Sequence, residues 1–166
     1  MSLEVAGWLF TIGVLLHNAE EACWLPAWSV HADRWHPPVG IVEVRFGAVV
    51  LSSLLLLIVI AASVSGAGSI GAYLMAGYVL AMVLNVLPHL LATIFMRRYM
   101  PGTATAVLMN LPLGVCYLVK AYSLHDIDLR TFIWSGPLVV LLMLASIPFL
   151  FSLGRKLFQA ADGASS

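Results

Sequence analysis

An all-α membrane bundle of about five transmembrane spans is the fold class this sequence predicts, and three observations predict it. Of 166 residues, 61% are hydrophobic and only 10% are charged, against about 25% charge in an ordinary soluble domain. The apolar residues fall in five long runs, each able to cross a bilayer core of about 30 Å as a helix. No run shows the alternating pattern of roughly ten residues that a membrane β-barrel requires. Helices are therefore the only workable spans. One bundle, residues 1–166, uses the chain and leaves no room for a second domain.

The first span is read over 5–25. No Lys or Arg precedes it, so it reads as a retained helix rather than a cleaved signal peptide. Pro26 closes it. In the following loop, Trp24, Trp28, His31 and Trp35 recur at helical spacing. That pattern predicts an interfacial helix over 27–36 with its aromatic rings at headgroup level. Pro37-Pro38 opens the second span, 40–64, and the Ser63–Ser69 stretch with Gly66 and Gly68 ends it. The third span covers 70–96. Pro101-Gly102 turns the chain into the fourth, 103–121, and the polar run 123–131 separates that from the fifth, 132–153. Trp8 and Trp134 near span ends fit an aromatic belt. Cys23 and Cys116 lie in apolar runs and read as small buried side chains.

Basic residues orient the bundle. Arg34, Arg45, Arg97, Arg98, Arg155 and Lys156 fall at one end, and Lys120 and Arg130 at the other. This predicts the N-terminus outside, the C-terminus in the cytoplasm, and residence in the plasma membrane of a bacterium. The lipid bilayer is the expected partner. Zero net charge without a Lys/Arg run argues against nucleic acid as a partner. Gly66-Ala67-Gly68 lacks a strand–turn–helix setting, so no nucleotide or flavin motif is present.

The polar residues inside the spans are the feature that needs explaining. His17, Glu20 and Glu21 stand at i, i+3 and i+4, within an arc of roughly 100° on one helix face. Ionisable groups at membrane depth are costly and mark functional sites. Two adjacent carboxylates there call for a cation or a shared proton. At ~1.5 Å per residue, Glu21 and Glu20 lie about 6–8 Å from the cytoplasmic end and His17 about 12 Å. His89 and Asn85 in the third span, Asn110 in the fourth and Glu43 in the second reach comparable depths, so four helices contribute to one polar layer. His125, Asp126 and Asp128 lie at the other end and read as a solvated turn.

His17-Asn18-Ala19-Glu20-Glu21 resembles the motif of the HXXEE family of integral membrane proteins. That family pairs its motif with a separate histidine and a Tyr-x-Pro-Gly motif. His89 matches the histidine, and Tyr99-Met100-Pro101-Gly102 matches the second motif. The resemblance covers nearly the whole chain and implies that these residues matter, without naming a reaction. Tyr99, Pro101 and Gly102 also make a tight reversal that fixes His89 and Asn110 at neighbouring depths.

Three chemistries remain open on these residues. His17, Glu20, Glu21 and His89 supply nitrogen and oxygen ligands for a divalent transition metal such as zinc, iron or manganese. Asn85, Asn110, Glu43 and the Tyr99–Gly102 turn would support them. The expectation is a metal-dependent enzyme, hydrolytic or oxidative, whose substrate is a lipid-like small molecule, with Glu20, Glu21 and His89 as catalytic groups. The alternatives are a metal-free isomerase moving a proton through the same Glu and His side chains, and a protein that binds or transports an ion or proton.

Overall fold

The structure, a computed structural model, describes residues 1–32 and 36–163. It is all-helical. Among the described residues five helices follow one another: α1 (Leu3–Ser29), α2 (Ile41–Ser65), α3 (Ile70–Met96), α4 (Thr103–Ser123) and α5 (Leu129–Gly163). Their starts follow from local chemistry. The Val5 N–H donates to Ser2 Oγ at 3.2 Å and the Ala72 N–H to Ser69 Oγ at 3.1 Å, satisfying donors that a helix start leaves open. Gly66 and Gly68, at φ +74° and +72°, carry the short α2–α3 reversal in a region other residues rarely enter.

Four of the predicted spans survive as α2 to α5, each long and apolar enough to cross a membrane by length and composition. That is consistent with an integral membrane protein. Large apolar side chains such as Val49, Leu57, Leu108 and Leu141 point outward, a surface suited to lipid. At 27 residues α1 has the length, but His17, Asn18, Glu20 and Glu21 keep it out of that set.

The expected interfacial helix over 27–36 is corrected. Residues 27–29 are the last turn of α1, a turn follows at 30–31, and residues 36–40 are not helical; 33–35 lie outside the described residues. The segment instead folds back on α1, where Ser29 Oγ donates to the Pro26 carbonyl at 2.9 Å and accepts from the Val39 N–H at 3.0 Å. It covers Trp28, which is buried against Leu25, Val44 and Met100, while Trp24 one turn earlier is exposed. Cys23 is exposed and Cys116 half-buried, so neither is the fully buried side chain expected.

Helix α1 packs on α2 and α4, and α3 packs on the same two, while α1 and α3 barely meet. The four helices thus stand in a square with α1 and α3 on its diagonal. Helix α5 lies outside, against α2 and α3. Lipid is as apolar as a core, so such helices associate through close packing and hydrogen bonds. A Cβ on Gly71 would lie 2.9 Å from the Ala61 carbonyl carbon, and one on Gly77 would lie 2.6 Å from Val139; both glycines let helices touch closely. Asn18 Nδ2 donates to Ser52 Oγ at 2.9 Å and the Tyr78 hydroxyl to the Leu51 carbonyl at 3.1 Å, each worth about 0.6 kcal/mol in a membrane. One apolar cluster around Phe10, Leu55, Met75 and Val79 fills the middle of the square, and a smaller one around Leu25, Val44 and Ala92 fills one end.

Helix α4 is irregular. Ala106–Asn110 winds as a π-helix between a short α turn and the regular helix from Leu111. Pro112 accounts for this. It has no N–H for the Leu108 carbonyl and its ring crowds that oxygen, so the turn before it widens.

Candidate functional site

His17 and His89 face each other across the diagonal of the square, near the end occupied by the smaller cluster. Both are almost fully buried. Their ring centroids are 5.0 Å apart at 74°. Glu21, one turn beyond His17 on α1, reaches between them. Its Oε1 is 3.1 Å from His89 Nε2 and 3.7 Å from His17 Nε2. One ligand atom from each of the three lies within 4.8 Å of the others.

The protonation pattern of His17 can be read from its partners. Nδ1 is 3.1 Å from the Gly102 carbonyl and 3.2 Å from Thr105 Oγ1. A carbonyl only accepts, so Nδ1 carries the hydrogen. Thr105 spends its own hydrogen on Glu20 Oε2 at 2.7 Å, which leaves its oxygen to accept from His17. The Nε2 lone pair is therefore turned toward Glu21. The amide of Asn85 approaches the same nitrogen at 3.4 Å, a long contact.

The Tyr99–Gly102 turn builds the wall of this site. Gly102 has φ +92°, and a Cβ there would lie 2.8 Å from Cε1 of both histidines. Glycine is required twice over, for its backbone and for its lack of a side chain. The turn is strapped to α3. The Met100 N–H donates to Thr93 Oγ1 at 3.0 Å, Thr93 and Thr103 hydroxyls pair at 2.8 Å, and Thr103 donates to the Met100 carbonyl at 2.7 Å. The Tyr99 hydroxyl donates to Glu20 Oε1 in a short hydrogen bond and accepts from the Ala104 N–H at 3.0 Å. Partial burial first, and then this bond to a carboxylate, raise the Tyr99 phenol above its ordinary pKa.

The structure thus brings His17, Glu21, His89 and Asn85 together and separates two other expected members. Glu20 is not in the cluster; both its oxygens are held by Tyr99 and Thr105. Adjacent residues on a helix diverge by 100°, and here Glu20 and Glu21 turn to different partners. Glu43 also lies outside the cluster, and Arg155 Nε donates to its Oε1 at 3.1 Å. Asn110 is fully buried on the π-helical turn, and its amide has no partner among the described residues; it packs on Gly13, one turn from His17. Thr105, Thr103 and Thr93 were not singled out from sequence. The signal was the hydroxyl pair Thr103 and Thr105 directly after the Tyr-x-Pro-Gly turn.

A family model described as a protein of unknown function with HXXEE motif matches residues 8–117. The chain is 33% identical over 148 residues to the uncharacterized protein YrkK of Bacillus subtilis (strain 168), a match that spans 89% of this chain and 94% of that relative. No solved structure matches.

Proposed function

The chain belongs to the HXXEE-motif family of proteins of unknown function, and we propose that its His17, Glu21 and His89 cluster is the metal centre of a membrane-embedded enzyme acting on a lipid-like substrate. One observation carries this reading. The Gly102 carbonyl leaves His17 Nε2 with a lone pair, and that lone pair faces the Glu21 carboxylate at 3.7 Å. The Asn85 amide reaches that nitrogen only at 3.4 Å, and two acceptors turned toward each other in a buried site call for a cation. His89 Nε2 adds a third donor at 3.1 Å from Glu21.

Two imidazole nitrogens and a carboxylate suit zinc, iron or manganese and leave positions for water or substrate. Bound there, such an ion supplies Lewis acidity for hydrolysis or redox capacity for oxidation. The chain's own residues prepare the site. Gly102 and Thr105 hold the His17 Nδ1 proton, which fixes the ring and raises the basicity of Nε2. Glu20 orients Thr105 as acceptor and so acts through His17 as a positioning residue. Glu21, the most open of the three, faces the side from which substrate would arrive. Trp24, three residues further along the same helix, is exposed, which supports an apolar substrate. Arg45, Arg97, Arg98, Arg155 and Lys156 at this end support a site in the cytoplasmic half with the N-terminus outside. The Bacillus relative supports a bacterial plasma membrane.

The test is elemental analysis of the detergent-purified protein beside a His17→Ala, Glu21→Ala double variant. About one equivalent of a transition metal, lost in the variant, is expected. A second reading has its own support. The 3.1 Å separation of His89 Nε2 and Glu21 Oε1 is also a hydrogen bond that needs no metal, and such a pair can pass a proton to and from an apolar substrate. A well-folded, metal-free protein that stays metal-free after metal is supplied would exclude the metal centre and leave proton transfer, or passage of an ion, through the same residues as the questions to test.

A further inference from the structure

At the opposite end of the bundle from the histidines, α1, α2, α3 and α4 leave a half-open cavity of about 200 Å³. Three polar groups around it have no hydrogen-bond or ion-pair partner among the described residues. Tyr117 on α4 is 3% exposed, its outer ring edge packs where Gly7 leaves space on α1, and its hydroxyl makes no hydrogen bond. Asp126, in the turn before α5, has its backbone tied to Gly68 and Ala121, while its carboxylate makes no hydrogen bond or ion pair. Glu4 on the first turn of α1 is likewise unpaired. Among the described residues no Lys, Arg or His lines the cavity. Burial raises the Asp126 carboxyl above its ordinary pKa, as expected of a carboxylate without a counter-charge.

We propose that this cavity is a binding site for a small organic ammonium group, held by the carboxylates of Asp126 and Glu4 and by the face and hydroxyl of Tyr117. The lining decides against a bare hard cation. Calcium wants six to eight oxygens, and here the rest of the wall is mostly apolar, with Leu3, Val59, Ala62 and Met75 beside two glycines; its one hydroxyl, Ser63 Oγ, is spent on the Val59 carbonyl at 2.8 Å. Carboxylates beside an aromatic ring and apolar methyl groups suit an alkylated or primary ammonium, whose charge meets the oxygens while its carbon meets the wall. The volume is below the roughly 300–1,000 Å³ of pockets that enclose drug-sized ligands, so it accepts a headgroup-sized cation and not a whole lipid. The sequence alone places Asp126 in a solvated turn; the fold draws that turn over the helix ends, where the Gly68 N–H donates to the Asp126 carbonyl at 2.8 Å.

The test is titration of the full-length protein in detergent with ethanolamine and with tetramethylammonium chloride, read by ligand-detected NMR, with potassium chloride at equal ionic strength as control. Saturable binding of at least one probe is expected, about tenfold weaker in Asp126→Asn and several-fold weaker in Glu4→Gln. Glu4 is exposed, so its variant tests the site without disturbing the fold. Tyr117→Phe keeps the ring and removes the hydroxyl; it weakens ethanolamine, which can hydrogen-bond, and spares tetramethylammonium, which cannot. His17→Ala leaves both affinities unchanged, which separates this site from the metal centre. Two bilayers identify the source of the group: competition against ethanolamine in phosphatidylethanolamine nanodiscs but not phosphatidylglycerol ones assigns it to a lipid headgroup, and equal affinity in both assigns it to a free amine. No saturable binding of either probe, or wild-type affinity in both Asp126→Asn and Glu4→Gln, overturns the proposal.

Discussion

At the scale of single residues, Gly102 is the most constrained position. Gly102→Ala would place a methyl group 2.8 Å from both imidazoles at a φ of +92°. The expected cost is about 1–3 kcal/mol, seen as a lower unfolding temperature in detergent together with loss of bound metal. Tyr99 allows a test by pH. Its phenol is raised from 10.0, so the folded form holds this proton more tightly than the unfolded one. The stability it contributes is present below 10.0 and is lost as pH rises through the folded pKa. Spectrophotometric titration should show that the phenolate missing in Tyr99→Phe is one that appears above 10.0. Much of this site was legible in the chain. His17 and Glu21 at i, i+4 differ by only about 40° around a helix, and sequence reasoning put them on one face correctly. Glu20 was harder, because which of two adjacent carboxylates points inward depends on the rotation of α1, and that is set by partners distant in sequence such as Tyr99 and Thr105.

At the scale of elements, the helices were legible from hydropathy and punctuation, and their irregularities were not. The 27–36 segment has the aromatic spacing of a helix, yet Ser29 ties the returning chain to the end of α1, and tertiary hydrogen bonds override the local pattern. The π-helical turn in α4 has a local cause in Pro112, but the response of the turn before it depends on packing against α1 and α3. Pro112→Ala restores an N–H to the helix and should convert Ala106–Asn110 to regular α-helix. That shifts Gly102 and Thr105 relative to His17, and metal affinity should fall by about 10–100-fold, as for loss of a partner behind a ligand. Metal titration of the variant checks this. Glu43 supplies the contrast. It shares the depth expected of the polar layer, but its partner is Arg155 on α5, more than half exposed. Glu43→Gln should change stability by no more than about 1 kcal/mol and leave the metal content at the wild-type level.

At the scale of the whole molecule, the square of helices explains why two distant histidines meet. Helices α1 and α3 are diagonal partners, separated along most of their length by the Phe10 and Met75 cluster. Polar side chains bridge the diagonal near one end only. There the α3–α4 turn closes over His17 and His89 and supplies a carbonyl to hold one of them. Apolar side chains face outward along the helices, so the His17, Glu21 and His89 cluster is enclosed within an apolar body. At that end the candidate centre ties α1 to α3, so a bound metal should stiffen the bundle there. X-ray absorption at the metal edge of the purified protein tests this account most directly. Two imidazole nitrogens and one carboxylate at the metal, with histidine scattering diminished in His89→Ala and the spectrum unchanged in Glu20→Gln apart from occupancy, is the predicted result. A metal with no histidine in its coordination sphere, or a folded protein that binds no metal, would contradict it.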